Sequence, residues 1–469
     1  MTDKQRRIEE DSLGRIEVPA DALWGAQTQR ALQNFPISGI ALPERFISAL
    51  VLLKSCVATA NGQLGELDQA LADGIADAAD QILAGQHRDQ FGIDVFQTGS
   101  GTSSNMNANE VIACIASAAL AQRVDPNDHV NRGQSSNDVF PASINLAAGI
   151  ALKHELLPAM HLLIKSLTAR EREFSKLVIT GRTHLMDAMP VTMGQQISGW
   201  RSQIESSVRS MEFALHEISQ LTIGGTAVGT GINAHPQMSG IVCELLSQRT
   251  GQHFRVAANH FEAQSSQDSA AMLSGHLKVL AVALMKICND LRLMNSGPLA
   301  GIAEINLPAV QPGSSIMPGK VNPVICESVA MVCAQVIGND TTITVGAQAG
   351  NFQLNTMLPV IAHNLLQSIL ILTNAITALD KRAIQGFSVN AEKIAETLGA
   401  NPVLVTALNP IIGYAKAAEI AKKAWKESRP ILDVALEMTE LSKSELELLL
   451  NPQRLTEAGN PGAGDTSDD

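Results

Sequence analysis

Aromatic residues are scarce in this 469-residue chain, which has 11 Phe, 3 Trp and 1 Tyr, or 3% in total. Strands are enriched in aromatic and β-branched side chains, so this scarcity argues against a β-sandwich or β-barrel. Ala, Leu, Ile and Met supply most of the apolar side chains in a sequence that is 45% hydrophobic. These residues favour helices packed on helices. The composition therefore predicts a mainly α-helical protein, and the length suits two or three domains of about 150 residues each.

Basic residues are too few to balance the acidic ones. The chain has 34 Lys and Arg against 46 Asp and Glu, which gives a formal net charge of -12. Nucleic acids and anionic membranes attract proteins that present a basic face. We therefore expect no nucleic acid and no membrane as a partner, and an anionic substrate would have to be attracted by a local site.

Clustered cysteines and long apolar runs are missing too. The sequence has no CxxC pair and no His-rich cluster, which argues against a zinc or iron–sulfur site. No charge-free apolar run reaches about 18 residues, and the first residues lack the apolar core of a signal peptide. We expect a cytoplasmic protein that needs no metal or other cofactor, with mostly buried thiols at Cys56, Cys114, Cys243, Cys288, Cys326 and Cys333.

Helical periodicity organises the middle of the chain. Apolar residues at alternating spacings of four and three predict one buried helix face, made of Leu273, Leu277, Leu280, Leu284, Ile287, Leu291 and Met294. Similar patterns run from Ile204 to Leu221 and over about 144–175. Such helices carry more apolar surface than one neighbour can cover, so we expect subunits to associate. We predict a mixed helical N-terminal domain with polar loops over 1–135, a central long-helix bundle over 136–391, and a small helical C-terminal domain with a disordered acidic tail over 392–469.

Four polar loops stand out against these helices. The most informative is GSSIMPGKVNP at 313–323, which combines glycines, prolines and serines with Lys320 and Asn322 and contains no acid. Its backbone amides, hydroxyls and ammonium group can all face an anion. The other three loops are QTGSGTSSNMNAN at 97–109, NRGQSSND at 131–138 and GRTHLMDA at 181–188.

Each of the first two loops has a simpler explanation when taken alone. The 313–323 segment could be an ordinary Gly/Pro surface turn. The Gly99-x-Gly101 pair could belong to a phosphate loop, although the third glycine of that motif is replaced by Ser104 and no βαβ series surrounds it.

The other two loops also allow ordinary structural roles. Ser136 or Asn137 could simply cap the helix that follows. His184 and Asp187 have the i, i+3 spacing of metal ligands, but no third ligand is apparent, and a lone histidine is more often structural.

Taken together, the four loops resemble those of the fumarase/aspartase superfamily, and GSSIMPGKVNP looks like its signature sequence. The similarity runs from RIEVP at 15–19 to NPIIGYAKAAEIAKKA at 409–424, so it covers nearly the whole chain. Within the superfamily the chain looks like a class II fumarate hydratase. Aspartases carry Gln at the position of His184 and favour Ala at that of Gly319, and both residues here are of the fumarase type.

This resemblance implies a three-domain subunit whose central bundle forms the core of a homotetramer, with each active site assembled from three chains. It also implies a metal-independent carbon–oxygen lyase of the tricarboxylic acid cycle. The reaction would be the reversible anti addition of water to fumarate, giving (S)-malate through a carbanion (aci-carboxylate) intermediate, so the ligand would be a small dicarboxylate.

The resemblance also implies roles for individual residues. Ser314 would take the carbon-bound proton, and His184, oriented by Glu327, would handle the water that is added or lost. The dicarboxylate would be bound by Ser100, Gly101, Thr102, Ser135, Ser136, Asn137, Thr183, Ser315, Lys320, Val321 and Asn322.

One segment departs from the family pattern. Fumarases usually have His-Pro-Asn-Asp at an accessory anion site, whereas this chain has Asp125, Pro126, Asn127 and Asp128. Because an acid replaces a potential cation, we expect weakened anion binding there.

Three other functions remain open on the sequence alone. An aspartate ammonia-lyase would release ammonia from aspartate. A nicotinamide oxidoreductase, suggested by the two glycines at 99 and 101, would bind NAD. A non-enzymatic relative of the same fold is the third alternative, and the intact set of Ser314, His184 and Lys320 argues against it.

Overall fold

The structure is a computed structural model that describes residues 5–313 and 315–459. Over these residues the chain is mainly helical, which confirms the predicted fold class. Its α-helices are α1 (Ala26–Asn34), α2 (Glu44–Gln63), α3 (Gln69–Leu83), α4 (Thr102–Leu120), α5 (Ser136–Ala151), α6 (Leu157–Glu173), α7 (Met193–Ile218), α8 (Met238–Thr250), α9 (His260–Ser265), α10 (Asp268–Met294), α11 (Val324–Ala347), α12 (Leu358–Leu379), α13 (Ala391–Gly399), α14 (Asn409–Ile412), α15 (Tyr414–Glu427), α16 (Ile431–Met438) and α17 (Lys443–Leu449).

Strands are short and pair only in twos over the described residues. The parallel pair is β5 (Gln220–Leu221) with β6 (Arg255–Val256). The antiparallel pairs are β1 (Arg6–Asp11) with β2 (Gly14–Pro19), β3 (Val178–Thr183) with β4 (Met186–Thr192), and β7 (Ile305–Asn306) with β8 (Ser388–Val389).

The chain divides into two compact units. Unit 1 consists of Met1–Ala159, Ser207–Val282 and Met331–Asn374, and unit 2 of Met160–Ser206, Ala283–Ala330 and Ala375–Asp469. The boundaries fall inside α6, α7, α10, α11 and α12, so these long helices contribute residues to both units. The domains predicted at 1–135, 136–391 and 392–469 stay a prediction.

Buried apolar side chains hold each unit together. In unit 1, the Phe46 ring of α2 lies 4.4 Å from the Phe140 ring of α5. In unit 2, the indole of Trp200 is 1% exposed, and its Nε1 donates a hydrogen bond of 2.8 Å to Asp290. This bond satisfies the one polar group of a large buried side chain.

The buried helix face predicted from the apolar spacing between Leu273 and Met294 lies on α10. Every one of its seven residues between Leu273 and Met294 is at most 7% exposed. The other two long patterns are helical with local breaks: α7 ends at Ile218, before Leu221, and a π-helical turn at Leu152–Leu156 separates α5 from α6. All six cysteines are free thiols, five of them buried and Cys114 half-buried, which confirms the expectation of mostly buried thiols.

Two helical segments, Asp268–Met294 and Leu358–Ile384, have the length and apolar composition of a membrane span. Half of the apolar 18-residue stretch in each segment is buried. The core helix of a globular protein meets the same criterion, so these two segments are weak evidence for a span.

The first prediction concerns Leu280, which has no exposed surface on the buried face of α10. Leu280→Ala should lower the free energy of unfolding by about 2–5 kcal/mol, because a cavity adds to the lost burial. Leu280→Met keeps the volume and should cost less than about 1.5 kcal/mol. Urea denaturation at matched protein concentration measures both, and equal losses would show that Leu280 is not a packing residue.

Candidate functional site

Two glycines fix the loop that precedes α4. A Cβ atom on Gly99 would lie 2.0 Å from the carbonyl oxygen of Thr356, and one on Gly101 would lie 2.0 Å from the ring of Phe140. Gly101 also has a φ of 74°, which favours glycine. Close packing therefore accounts for both glycines, and the pair gives no support to a phosphate loop or a nicotinamide site.

The predicted ligands Ser100 and Thr102 lie together at the start of α4. Their hydroxyl oxygens are 2.8 Å apart. Gln97 holds the first turn of α4, because its Oε1 accepts a hydrogen bond of 3.0 Å from the N–H of Ser104. The start of a 19-residue helix is a favourable place for an anion, since free N–H groups and the helix dipole point there.

A capping box opens α5, where the next predicted ligands lie. Ser135 Oγ accepts a hydrogen bond of 3.2 Å from the Asn137 N–H, and Asp138 Oδ1 accepts one of 2.9 Å from the Ser135 N–H. Ser135 is therefore the cap, and the alternative that Ser136 or Asn137 caps this helix was wrong. Three polar residues in a row can each cap, and only the backbone geometry decides between them.

The side chains of Ser136 and Asn137 are also held in place. Asn105 Nδ2 donates a hydrogen bond of 3.1 Å to Ser136 Oγ. Asn137 Nδ2 donates one of 2.8 Å to the carbonyl oxygen of Ala227. The predicted ligands at 135–137 thus start from fixed positions, which suits a preorganised binding site.

His184 lies at the tip of the β3–β4 hairpin in unit 2. Thr183 pairs with Met186, so His184 and Leu185 form a two-residue turn with φ values of 56° and 60°. Positive φ at both positions is typical of a type I′ turn, which favours Asn and Gly. A histidine and a leucine there are strained, and such strain is frequent at functional sites. Thr183 and His184 are both exposed on the chain.

A buried ion pair supports this hairpin. The two terminal nitrogens of Arg182 donate to the two carboxylate oxygens of Glu304, which is 2% exposed. Such a two-bond pair fixes orientation as well as distance. Strand β3 also has an irregular register between Thr180 and Arg182, at Gly181, where a Cβ atom would lie 2.4 Å from the Met189 carbonyl oxygen.

The signature loop lies between β7 and α11 and is closed at its neck. Asn322 Nδ2 donates a hydrogen bond of 2.7 Å to the carbonyl oxygen of Gly313. A Cβ atom on Gly313 would lie 2.0 Å from the Lys320 carbonyl oxygen, so only glycine fits there. Gly319 has a φ of 82°, which also favours glycine. Two of the predicted loop residues, Ser315 and Val321, are exposed.

The predicted catalytic residue Ser314 lies outside the described residues.

Lys320, Asn322 and Glu327 line one cavity of about 1040 Å³ in unit 2. Among the described residues, the Lys320 ammonium has no hydrogen-bond or ion-pair partner, and its side chain is exposed. A cation with no carboxylate at ion-pair distance can attract an anion. His184 does not line this cavity, and within residues 5–313 and 315–459 no hydrogen bond or ion pair joins it to Glu327.

Asp125 is engaged with its own backbone at the predicted accessory site. Its Oδ1 accepts hydrogen bonds of 2.9 Å from the Asn127 N–H and 3.1 Å from the Asp128 N–H. Burial raises the pKa of the Asp125 carboxyl, but these hydrogen bonds outweigh it and hold the pKa below the usual value. A charged carboxylate therefore occupies the amides that could have faced an anion.

Two basic residues near the predicted ligands, one arginine and one lysine, were not identified from the sequence. Arg292 lines the cavity of Lys320 from the last turn of α10. Lys54, in α2 of unit 1, is 0% exposed and donates to Gln134 Oε1 at 3.1 Å. The one signal for Lys54 was a single lysine in the otherwise uncharged stretch ISALVLLKSCVATA at 47–60.

Comparisons with known proteins agree with these motifs. The family described as Lyase matches residues 14–338, and the family described as Fumarase C C-terminus matches residues 404–457. The chain is 55% identical to fumarate hydratase class II 2 of Pseudomonas aeruginosa, over 98% of this chain and 100% of that one. It is 54% identical to fumarate hydratase class II of Xylella fastidiosa, over 97% of this chain and 96% of the relative. The class II fumarase structure from Schistosoma mansoni superposes with a TM-score of 0.94 at 38% identity, covering 96% and 99% of the two chains.

The second prediction concerns Gly101. Gly101→Ala should lower the free energy of unfolding by about 2 kcal/mol or more, because a left-handed alanine costs about 1 kcal/mol and the contact with Phe140 adds overpacking. Gly92→Ala is the control, since a Cβ atom there meets nothing within 4 Å, and should change it by less than about 0.5 kcal/mol. Denaturation curves compare the two, and an equally mild effect of both would contradict the packing role of Gly101.

Proposed function

We infer the reaction from the family: the chain belongs to the fumarase/aspartase superfamily and, within it, to the class II fumarate hydratases. The chain is a lyase, and it hydrates fumarate. We propose that the reaction is the reversible anti addition of water to fumarate to give (S)-malate, as a step of the tricarboxylic acid cycle in the cytoplasm. The observation that carries this proposal is the Lys320 ammonium, which lines a cavity with Asn322 and Glu327.

The chemistry explains why such a cation is needed. The proton lost from (S)-malate sits on the carbon next to a carboxylate, so its removal adds negative charge to a group that is already anionic. Prearranged donors stabilise that charge in the transition state. In the proposal, Lys320 and Asn322 supply donors from the signature loop, with Ser315, Val321 and Thr183 as further contacts.

The hydroxyl and amide loops of unit 1 would bind the rest of the dicarboxylate. Ser100, Gly101 and Thr102 lie at the start of α4, and the 135–137 segment lies at the start of α5. Uncharged donors at helix starts bind carboxylates without the desolvation that a second ion would need.

Two residues would move protons. We assign Ser314 as the base that takes the carbon-bound proton, which requires strong stabilisation of its alkoxide. His184 would handle the water at the neighbouring carbon, with Glu327 as its partner. A separate base and a separate water-handling group suit anti elimination, because the proton and the hydroxyl leave from opposite faces.

We propose that these groups meet between subunits of a homotetramer. Support comes from the exposed His184 turn, because no hydrogen bond or ion pair joins His184 to Glu327 in the described part of one chain. Further support comes from large apolar side chains left exposed on α10 and α11, namely Val279, Val282, Met331, Ile337 and Val345. Exposed apolar side chains repeated along long helices are typical of subunit interfaces.

The aspartate ammonia-lyase alternative is not favoured. Relatives that are 48–55% identical over nearly the full chain are class II fumarate hydratases. The accessory anion site at 125–128 is proposed only as a weak one, because Asp125 already accepts its backbone amides.

The third prediction tests the reaction and its cation. The chain should form fumarate from (S)-malate, seen as ultraviolet absorbance, and should release no ammonia from aspartate. Lys320→Met should lower kcat/KM at least about 10²–10³-fold, because a transition-state donor is lost. Lys393→Met, at a lysine 43% exposed beside Glu396, should leave turnover unchanged. Ammonia release without hydration would overturn the assignment, and an active Lys320→Met variant would remove Lys320 from it.

The fourth prediction tests the shared site. Ser314→Ala and His184→Asn proteins should each be nearly inactive but folded. The two proteins are then unfolded together and reassembled at equal amounts. A site that takes His184 and Ser314 from different chains then has about a one-in-four chance of receiving both wild-type residues.

Activity should therefore return to about a quarter of the wild-type value only after subunit exchange. Mixing of the native variants, and reassembly of each variant alone, serve as controls. Mixed tetramers as inactive as the parents would mean that both residues act from the same chain.

A further inference from the structure

Lys54 is a fully buried lysine whose ammonium faces amide oxygens rather than a carboxylate. It lies in α2 and is 0% exposed. Its Nζ donates hydrogen bonds of 3.1 Å to Gln134 Oε1 and 3.4 Å to Asn131 Oδ1. Within the described residues it has no carboxylate at ion-pair distance. A buried charge is unfavourable unless it is compensated, so this arrangement calls for a role.

The Asn131 oxygen connects Lys54 to a predicted substrate ligand. It accepts hydrogen bonds from Asn105 Nδ2 at 3.2 Å and Asn109 Nδ2 at 3.1 Å, besides that from Lys54. Asn105 Nδ2 also donates to Ser136 Oγ at 3.1 Å. A cationic donor strengthens each bond of such a network. The ammonium of α2 is thus two hydrogen-bonded side chains away from the Ser136 hydroxyl.

Backbone contacts tie the same turn to Lys54. Gln134, which accepts from Lys54, lies directly before Ser135, and its Nε2 donates to the Val130 carbonyl oxygen at 2.9 Å. Asn131 Nδ2 donates to the Gln134 carbonyl oxygen at 3.2 Å. The turn that leads into α5 is therefore organised around the ammonium group.

A buried acid holds the other side of the 135–137 segment. Asp138 is 0% exposed and accepts the N–H groups of Gly224 at 3.0 Å and Thr226 at 2.9 Å, in addition to its capping bond. Burial raises the pKa of Asp138 to about 6 and lowers that of Lys54 to about 7, and the charge of Asp138 opposes the lowering for Lys54. Two buried ionisable side chains, Lys54 and Asp138, therefore flank the three predicted ligands.

We propose that Lys54 is a positioning residue, which holds the dicarboxylate-binding segment Ser135–Asn137 through Asn131, Gln134 and Asn105. The proposal rests on the proposed function of that segment. Lys54 touches no substrate, and it acts by keeping the Ser136 hydroxyl and the start of α5 in the geometry that binds a carboxylate. The hydrogen bonds of these two buried side chains, Lys54 and Asp138, keep the segment in place without presenting a second cation to the substrate.

The fifth prediction uses Lys54→Met in the full chain. This change keeps the length and removes the donor, so kcat/KM for fumarate should fall about 10–100-fold, mostly through a higher KM. Affinity for succinate, which has two carboxylates and cannot be hydrated, should fall in parallel, as measured by equilibrium dialysis. Lys54→Gln keeps one N–H donor and should recover part of the loss.

Lys278→Met is the matched control, because Lys278 pairs with Asp340 at 2.6 Å in the same unit. It should lower the unfolding temperature and leave KM unchanged. A wild-type KM in Lys54→Met, or an equal rise of KM in Lys278→Met, would overturn the proposal. If neither Lys54 variant folds, Lys54 serves the core alone and the proposal is also wrong. A wild-type chain that does not hydrate fumarate would instead overturn the proposed function, which is measured first.

Discussion

The carboxylate of Asp138 is the group on which the position of the start of α5 depends. It accepts three backbone N–H groups, from Ser135, Gly224 and Thr226, and has no contact with solvent. A buried carboxylate that lost one of these donors would be strongly disfavoured. The start of α5 and the loop at 224–226 are therefore fixed together by one side chain, and the predicted ligands at 135–137 take their positions from it.

Unit 2 holds its predicted site residues by different contacts. An Arg182–Glu304 ion pair holds the β3–β4 hairpin close to its tip, where His184 adopts a left-handed conformation. The side chain of Asn322 joins the two ends of the signature loop through its hydrogen bond to the Gly313 carbonyl oxygen. In both elements a fixed contact lies beside an exposed residue of the proposed site, His184 in the hairpin and Lys320 in the loop. The left-handed turn at His184 and Leu185 breaks a local conformational preference, which is expected where function overrides it.

Much of this architecture could be predicted from the sequence, because it depends on periodicity and composition. The buried face of α10 could be predicted from the spacing of its apolar residues alone, and the polar loops could be predicted from their composition. Details that depend on backbone geometry could not be predicted. By residue type, Ser135, Ser136 and Asn137 are equally good N-caps, and the register of the turn decides between them. Lys54 was missed because a lone lysine in an otherwise uncharged stretch gives no sign of the two amide oxygens, of Asn131 and Gln134, that accept its hydrogen bonds from the turn before α5.

Exposure on the single chain connects catalysis with assembly. The His184 turn, the Lys320 side chain and the apolar side chains on α10 and α11 are all exposed. Apolar side chains gain by leaving water, and a charge-stabilising donor gains strength where water is excluded. Association of subunits would satisfy both requirements at once. In the shared-site proposal the same burial that holds the subunits together also dries the site, so the free energy of assembly contributes to the stabilisation of the carbanion.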